Sequence, residues 1–246
     1  MSAPVSRAEP FSPPEPVDET NAIPPLKEGD CLTRGEFERR YDATPQLKRA
    51  ELIEGVVHVP SPVRCRHHGA PHLRLAGWLF LYRARTPGVE GADNASIRLD
   101  LGNMPQPDCF LFIAPECGGQ AKVDEDDYVN GAPELIAEVA ASSESYDLHA
   151  KLQVYQRNRV REYIVWRVLN RQVDWFILRD DRYQPLPPGD DGIWRSTVFP
   201  GLWLDPAALL RDDLETLMGV LRQGLDSPDH AAFKAELRQA RGEPVG

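Results

Sequence analysis

The stretch PELIAEVAASS, residues 133–143, decides the fold and raises its main chemical question. Most of its residues are apolar, and their run predicts a buried strand. Glu138 lies in the middle of that strand, although burying a carboxylate costs several kcal/mol unless a partner compensates it. The rest of the sequence must therefore supply a partner for Glu138.

The segments around this strand predict an α/β (α+β) fold. Apolar runs typical of strands occur at ELIEGVVHVP (51–60), SIRLDL (96–101), CFLFIA (109–114), REYIVWRVL (161–169) and QVDWFILRD (172–180). Apolar residues near a 3.6 period predict helices at HHGAPHLRLAGWLFLYRAR (67–85) and SYDLHAKLQVYQRN (145–158). The acidic segment 116–131 reads as a loop between two of the strands. We expect the helices to pack on a central sheet that is antiparallel or mixed.

The chain of 246 residues divides into three parts. Residues 1–30 are rich in Pro, Glu and Ser and predict a disordered leader. Residues 31–210 have a globular pattern, and residues 211–246 form a C-terminal helical extension. This extension begins within DPAALLRDDLETLMGVLRQGL, which predicts one amphipathic helix with Asp205 as its N-cap and Pro206 at its first position. A second short helix is predicted at PDHAAFKAELRQA.

Composition excludes several classes of protein. The longest apolar run, LAGWLFLY (75–82), is too short to span a bilayer, and the N-terminus has no apolar signal-peptide core. The four cysteines form no CxxC pair, which predicts reduced thiols in a cytoplasmic protein without a zinc site. The formal net charge of −10 argues against broad, non-specific affinity for nucleic acid. The sequence is compatible with a homodimer and gives no reason to expect a membrane partner.

Asp108 is the second carboxylate that the sequence places near Glu138. It follows Pro107 and begins the strand CFLFIA, so it and Glu138 lie on strands that can be neighbours. Two carboxylates about 4 Å apart repel by about 4 kcal/mol at an effective dielectric of about 20, so either one is protonated or a cation neutralises both. A hard divalent ion such as Mg²⁺ suits such a pair and would allow phosphodiester cleavage. The alternative is that Asp108 caps a turn and Glu138 pairs with an arginine.

Several short motifs then occur in a specific order along the chain. They are ELIEG, PSP, HHG, the run from Asp108 through GAPELIAEVAASSESYDLHAKLQVYQRNRVREYIVW, and STVFPGLWL. In this order and spacing, residues 33–210 resemble the Uma2 family of endonucleases, within the PD-(D/E)XK, restriction-endonuclease-like superfamily. The resemblance implies a restriction-endonuclease-like core with a central mixed sheet flanked by helices. It also implies DNA cleavage that depends on Mg²⁺ or Mn²⁺.

By this resemblance, Asp108 and Glu138 are the two acids of the motif and the expected metal ligands. The lysine position of the motif holds Ala140, and the family's displaced lysine corresponds to Lys151. Asp147, Lys151 and Tyr155 share a helix face at i, i+4 and i+8, so the ammonium could reach the end of the strand. In the alternative, Asp147 and Lys151 form an exposed pair that stabilises the helix by about 0.3–0.5 kcal/mol.

Two further residues match the family. Glu51, in ELIEG, corresponds to an upstream acid and is a catalytic candidate that would orient metal-bound waters. Its alternative role is a salt bridge with Lys48 or Arg49. His68, in HHG, corresponds to a histidine at the start of a helix, where a single histidine is more often structural than catalytic.

Charge is unevenly placed along the chain. Residues 64–85 contain five arginines and three histidines without an acid, and residues 151–171 contain six basic residues and one acid. Residues 116–147 lie between them and contain nine acids and one lysine. Basic helices beside an acidic centre predict a local phosphate-binding cleft, whereas the alternative is that both are solvated helix faces.

Three hypotheses for function follow. The leading one is a metal-dependent DNA endonuclease with Asp108, Glu138, Lys151 and Glu51 as catalytic residues. The second is a nuclease-like domain with a decayed site that binds DNA or a protein partner, and Ala140 in place of the motif lysine favours it. The third is a pure interaction module that docks through its terminal segments, which the acidic net charge favours.

Overall fold

The structure is a computed structural model and describes residues 23–141 and 143–243. Its strands are β1 (Glu51–Ile53), β2 (Val56–His58), β3 (Val89–Asp93), β4 (Ile97–Arg98), β5 (Cys109–Ile113), β6 (Lys122–Val123), β7 (Val129–Asn130), β8 (Leu135–Ala140), β9 (Glu162–Arg167), β10 (Gln172–Arg179), β11 (Arg182–Pro185), β12 (Trp194–Arg195) and β13 (Trp203–Leu204). Its helices are α1 (Arg34–Asp42), α2 (Ala70–Arg85), α3 (Glu144–Tyr146), α4 (Leu152–Arg157), α5 (Pro206–Arg211), α6 (Leu214–Leu225) and α7 (Pro228–Ala240). Wider π-helical turns precede α2 at Cys65–Gly69 and α4 at Asp147–Lys151.

A six-stranded mixed sheet with the order β11-β10-β9-β8-β5-β3 forms the centre of the fold. Strands β8 and β9 are parallel, and the other neighbours are antiparallel. All six residues of β8 are buried, which explains why its sequence is a nearly continuous apolar run. The predicted mixed α/β architecture, a central mixed sheet flanked by helices, is therefore confirmed.

Side chains alternate between two cores, one on each face of the sheet. On β8, Leu135, Ala137 and Val139 face a core that also contains Trp78 of α2 and Leu221 of α6. The intervening residues face a second core, which contains Tyr155 of α4. Glu138 has the parity of the second set, so the period of the strand directs its side chain toward α4.

The C-terminal part departs from the prediction of one long helix. Asp205 does cap α5, because its side chain accepts a hydrogen bond from the amide of Ala208. Asp212 then adopts a left-handed conformation with φ of 63°, and Asp213 caps a new helix, α6, by accepting from the amide of Thr216. The prediction was wrong here because the sequence RDDLE supplies a second N-cap inside an otherwise continuous amphipathic pattern.

Segments that the sequence predicted to lie outside the globular part, residues 31–210, pack against its core. Residues 1–22 of the expected leader lie outside the described residues. Residues 23–30 contact the core, since Leu26 is buried and the amide of Gly29 donates to the carbonyl of Val57. In the helical extension, side chains of α6 and α7 join the same core as α2. The acidic segment 116–131 includes β6 and β7, which form a small sheet with β4.

Candidate active site

Asp108, immediately before β5, and Glu138, on the adjacent antiparallel strand β8, face the same side of the sheet. Cys109 of β5 pairs with Ala137 of β8, so Asp108, one residue before β5, lies opposite Glu138. The amide of Asp108 donates to Oε2 of Glu138 over 3.2 Å, and the amide of Val139 donates to Oδ2 of Asp108 over 2.8 Å. Both acids are 2% exposed. The backbone therefore fixes the two buried carboxylates beside each other.

Two basic side chains hold the remaining oxygen of Asp108. Nε2 of His68 lies 3.1 Å from Oδ1, and a guanidinium nitrogen of Arg49 lies 3.4 Å from the same atom. Burial raises the pKa of Asp108, but the hydrogen bond and charge of His68, the Val139 amide and Arg49 together lower it to about 2. Asp108 is therefore ionised throughout the physiological range.

Glu138 is in the opposite electrostatic situation. Its Oε1 accepts from Nζ of Lys151 over 2.9 Å and from the hydroxyl of Tyr155 over 3.0 Å. Burial raises the pKa of Glu138 to about 8, because desolvation and the charges of Asp108, Asp147 and Glu51 outweigh the attraction of Lys151. The site thus places one carboxylate that stays charged beside one that readily holds a proton.

Lys151 is buried at the centre of this cluster and is 3% exposed. Besides Glu138, its ammonium lies 3.0 Å from Oε1 of Glu51 and 3.8 Å from Oδ1 of Asp147. Burial opposes its charge, yet these three carboxylates raise the pKa of Lys151 well above its usual value. The alternative of an exposed Asp147–Lys151 pair is wrong, because both side chains are buried and turned toward the sheet.

Glu51 reaches the cluster from the β1–β2 hairpin. Its Oε1 accepts from the amide of Gln106 over 2.7 Å as well as from Lys151. Neither Lys48 nor Arg49 forms an ion pair with Glu51 in the described part of the chain, so the alternative salt bridge is also wrong. Glu51 instead connects the hairpin to the lysine of the α4 segment.

The structure thus brings together all four residues that the sequence named as catalytic, and it adds three more. Tyr155 was visible in the sequence through its spacing from Lys151. His68 was expected to be structural, but it contacts Asp108 directly, as does Arg49. Arg49 carried no sequence signal beyond its place before β1, because its role depends on a contact with a residue 59 positions later.

The cluster has the chemistry of a site for one hard cation. Among residues 23–141 and 143–243, no group of three or more His, Cys, Asp or Glu side chains is arranged so that it could hold a metal ion. Mg²⁺, however, commonly uses one or two carboxylates with waters and phosphate oxygens. A carboxylate offers about four lone-pair positions, and Asp108 and Glu138 each use three of them. Burial is the main cause of the raised pKa of Glu138, and the charges of Asp108, Asp147 and Glu51, which add to it, also favour a cation. The two carboxylates are thus oxygen donors of the kind that Mg²⁺ or Mn²⁺ accepts.

A mixed sheet with two buried acids on adjacent strands and a lysine from the next helix has the arrangement expected of a restriction-endonuclease-like protein. The sequence profile of the Uma2 family, described as "Putative restriction endonuclease", matches residues 34–207. The chain belongs to the Uma2 family, which confirms the resemblance drawn from its motifs. The matched range contains every candidate residue of the site.

Comparison with solved structures finds a "putative nuclease belonging to DUF820 from Anabaena variabilis ATCC 29413". It is 14% identical in sequence, with a TM-score of 0.49, and the match covers 73% of this chain and 99% of that chain. No curated protein matches the chain. In the described residues, no helix has the length and apolar character needed to cross a membrane.

Proposed function

We propose that this protein is a divalent-metal-dependent DNA endonuclease that hydrolyses phosphodiester bonds at the Asp108–Glu138 pair. The observation that carries the proposal is the position of Lys151, whose buried ammonium lies 2.9 Å from Glu138 and 3.0 Å from Glu51. In this proposal Lys151, from the segment that leads into α4, takes the role of the lysine that is missing from the motif at Ala140. The two acids and the lysine, which come from three separate elements, are the residues that the family motifs name.

Each residue has a distinct role in this proposal. Asp108 and Glu138 would hold Mg²⁺ or Mn²⁺, which when bound polarises a phosphate and lowers the pKa of an attacking water. Lys151 would stabilise the negative charge that develops on the phosphate. Glu51 would position Lys151 through its second ion pair, and Tyr155 would orient Oε1 of Glu138. His68 and Arg49 would keep Asp108 ionised.

A second candidate is a decayed nuclease that binds DNA or a protein partner without cleaving. The observation in its favour is that all four oxygens of Asp108 and Glu138 already accept hydrogen bonds from protein groups. The cluster is thus internally satisfied without a metal. Family membership and this buried cluster both favour these two candidates over a pure interaction module.

Incubation of supercoiled plasmid with the protein in Mg²⁺, Mn²⁺ or EDTA tests the proposal. We expect nicking with either metal, none in EDTA, and none from Asp108→Asn or Glu138→Gln. Glu54→Gln, which changes an exposed acid in the β1–β2 turn, serves as the control and should cleave normally. No nicking by wild type with any metal, combined with a DNA gel shift, would instead support the decayed nuclease.

A further inference from the structure

Two segments of the chain converge on Oδ1 of Asp108, and both carry basic neighbours. Arg49 approaches from the segment before β1, and His68 approaches from the turn before α2. Lys48 precedes Arg49, is exposed, and makes its only hydrogen bond within the described residues to a nearby carbonyl, that of Pro45. Residues 60–67, PSPVRCRH, precede His68, and we call them the basic loop.

The basic loop is exposed along its whole length. All eight of its residues, Pro60 to His67, are exposed, including the apolar Val63 at 58%. Within the described part of the chain, Arg64, Arg66 and His67 form no ion pair with an acid. Three basic side chains therefore stand in solvent beside the residue that contacts Asp108, and neither packing nor salt bridges explain them.

Most other basic residues near the site are neutralised, which corrects the expectation of two basic helix faces. In residues 151–171, Lys151 is buried among carboxylates, Arg157 pairs with Glu54, Arg159 with Asp181, and Arg167 with Glu144 and Asp174. On α2, Arg74 pairs with Asp212. Arg83, Arg161 and Arg171 are exposed and form no ion pair within residues 23–141 and 143–243. Among the exposed basic residues that form no ion pair in the described part of the chain, those of the basic loop and Lys48 are adjacent in sequence to His68 and Arg49, the two residues that contact Asp108.

We propose that the basic loop, together with Lys48, binds the phosphate backbone of duplex DNA and places the scissile phosphate at Asp108. The inference rests on the proposed function, since it names the surface by which that same site receives its substrate. Phosphate contacts come mainly from exposed Arg and Lys side chains and position the duplex without reading its sequence. With a net charge of −10, the rest of the surface repels DNA, so a local basic patch determines where the duplex lies.

The test compares two double variants with the same loss of charge. Arg64→Gln/Arg66→Gln removes two arginines from the basic loop. Arg179→Gln/Arg182→Gln removes two exposed arginines that form no ion pair within residues 23–141 and 143–243. They face each other across β10 and β11, toward the edge of the sheet that is farther from β5. Binding of a fluorescent 30-base-pair duplex is followed by anisotropy over a series of salt concentrations, in EDTA and again in Ca²⁺.

Each phosphate contact contributes about 0.9 to the slope of log affinity against log salt, so the loop variant should lose about 1.8 from this slope. We expect its affinity at about 0.1 M salt to fall at least about tenfold, while the control variant binds as wild type does. In plasmid cleavage, the loop variant should show a raised KM with little change in kcat. Its Mn²⁺-dependent rise in melting temperature should equal that of wild type, because the loop holds no proposed ligand.

The outcomes separate this inference from the proposed function. Loop-dependent DNA binding without cleavage by wild type would support the basic loop and refute the endonuclease. Normal cleavage by wild type with equal affinities and salt slopes in both double variants would refute the basic loop and leave the endonuclease intact. A wild-type protein that binds no duplex in either EDTA or Ca²⁺ would also overturn the inference.

Discussion

The ammonium of Lys151 lies 2.9 Å from Oε1 of Glu138, and both groups are buried beneath the segment that leads into α4. This ion pair, with the Tyr155 hydroxyl and the Asp108 amide, explains how a carboxylate is tolerated in an apolar strand. The sequence predicted a divalent cation as the partner of Glu138. In the structure the partner is the lysine, and a metal would have to share Glu138 with it.

Removing this ammonium should destabilise the protein strongly. Lys151→Met leaves Glu138 and Glu51 buried without their shared cation, and breaking a buried pair on one side typically costs about 3–5 kcal/mol. We expect the free energy of unfolding in EDTA to fall by about 3 kcal/mol at pH 8. The fall should be smaller at pH 5, where protonation of Glu138 removes one buried charge. Urea denaturation of wild type and Lys151→Met at both pH values measures this change in the free energy of unfolding.

The matched control is Lys122→Met, which removes an exposed lysine on β6. It should change stability by no more than about 0.5 kcal/mol, as surface substitutions usually do. If both substitutions changed stability equally, Lys151 would not form a buried ion pair. The alternative of an exposed Asp147–Lys151 pair would then hold.

The protonation of Glu138 should give the folded protein a distinct pH dependence. Its pKa in the folded protein, about 8, lies above its ordinary value of 4.5, so the protonated group stabilises the fold fully below about pH 4.5. That contribution is lost as the pH rises through 8, at a rate on the order of 1 kcal/mol per pH unit. Glu138→Gln carries no titrating proton and should remove this part of the slope.

Urea unfolding in EDTA at pH 5, 6, 7 and 8 compares wild type with Glu138→Gln, and Glu54→Gln is the exposed control. Asp108 does not interfere, because its lowered pKa of about 2 confines its own effect to the acid range below about pH 4. Parallel stability curves for wild type and Glu138→Gln would show that Glu138 does not titrate in this window.

Metal binding should appear as stabilisation of the folded state. Mn²⁺ should raise the melting temperature of wild type and leave Asp108→Asn and Glu138→Gln unchanged, because a ligand stabilises only the protein that binds it. Lys151→Met should show a larger rise than wild type, since the competing ammonium is absent. Thermal melts in EDTA and in a Mn²⁺ series measure these shifts, and equal shifts in all four proteins would exclude the Asp108–Glu138 pair as the site.

The strands that carry the two acids could be predicted because their signals are local. A continuous apolar run bounded by proline and polar residues identified β5 and β8, and the position of Asp108 just before β5 put it within reach of Glu138. The family motifs then assigned both acids and the displaced lysine. These predictions needed only the order of residues along the chain.

The burial of Lys151 could not be predicted, because an i, i+4 pair with Asp147 has the same spacing on an exposed face as on a buried one. The ion pair with Glu51, which lies on a hairpin 100 residues earlier in the chain, distinguishes the buried position from the exposed one. The contacts of His68 and Arg49 with Asp108 depend on tertiary structure in the same way. At Asp212, by contrast, a local signal existed, since two successive aspartates offered a second helix cap.

The N-terminal segment should contribute to stability only through its last residues. Residues 1–22 are poor in large apolar side chains, so their deletion should leave the melting temperature unchanged. Deletion of residues 1–30 also removes the buried Leu26, which packs in the core with Phe37 and Val57. We expect this longer deletion to cost at least about 2 kcal/mol.

Thermal melts compare the two truncations with Leu26→Ala in the full chain. They show whether the loss of stability comes from Leu26. Equal melting temperatures for the two truncations would mean that Leu26 contributes nothing to the core.

The catalytic role of Lys151 is the remaining prediction, and it separates an enzyme from a decayed relative. Loss of one preorganised charge at a transition state typically costs about 10²–10³ in rate, so Lys151→Met should lose plasmid nicking at least about a hundredfold. Lys151→Arg should recover little, because a planar guanidinium does not reproduce a compact ammonium held by two carboxylates 2.9 and 3.0 Å away.

Because Lys151→Met is also expected to be less stable, plasmid nicking is measured at low temperature. Circular dichroism and the Mn²⁺-dependent rise in melting temperature show whether the variant is folded and binds metal. Lys122→Met controls for the loss of one positive charge and should nick at the wild-type rate. Wild-type nicking by folded Lys151→Met would assign this lysine a purely structural role in holding Glu138 and Glu51.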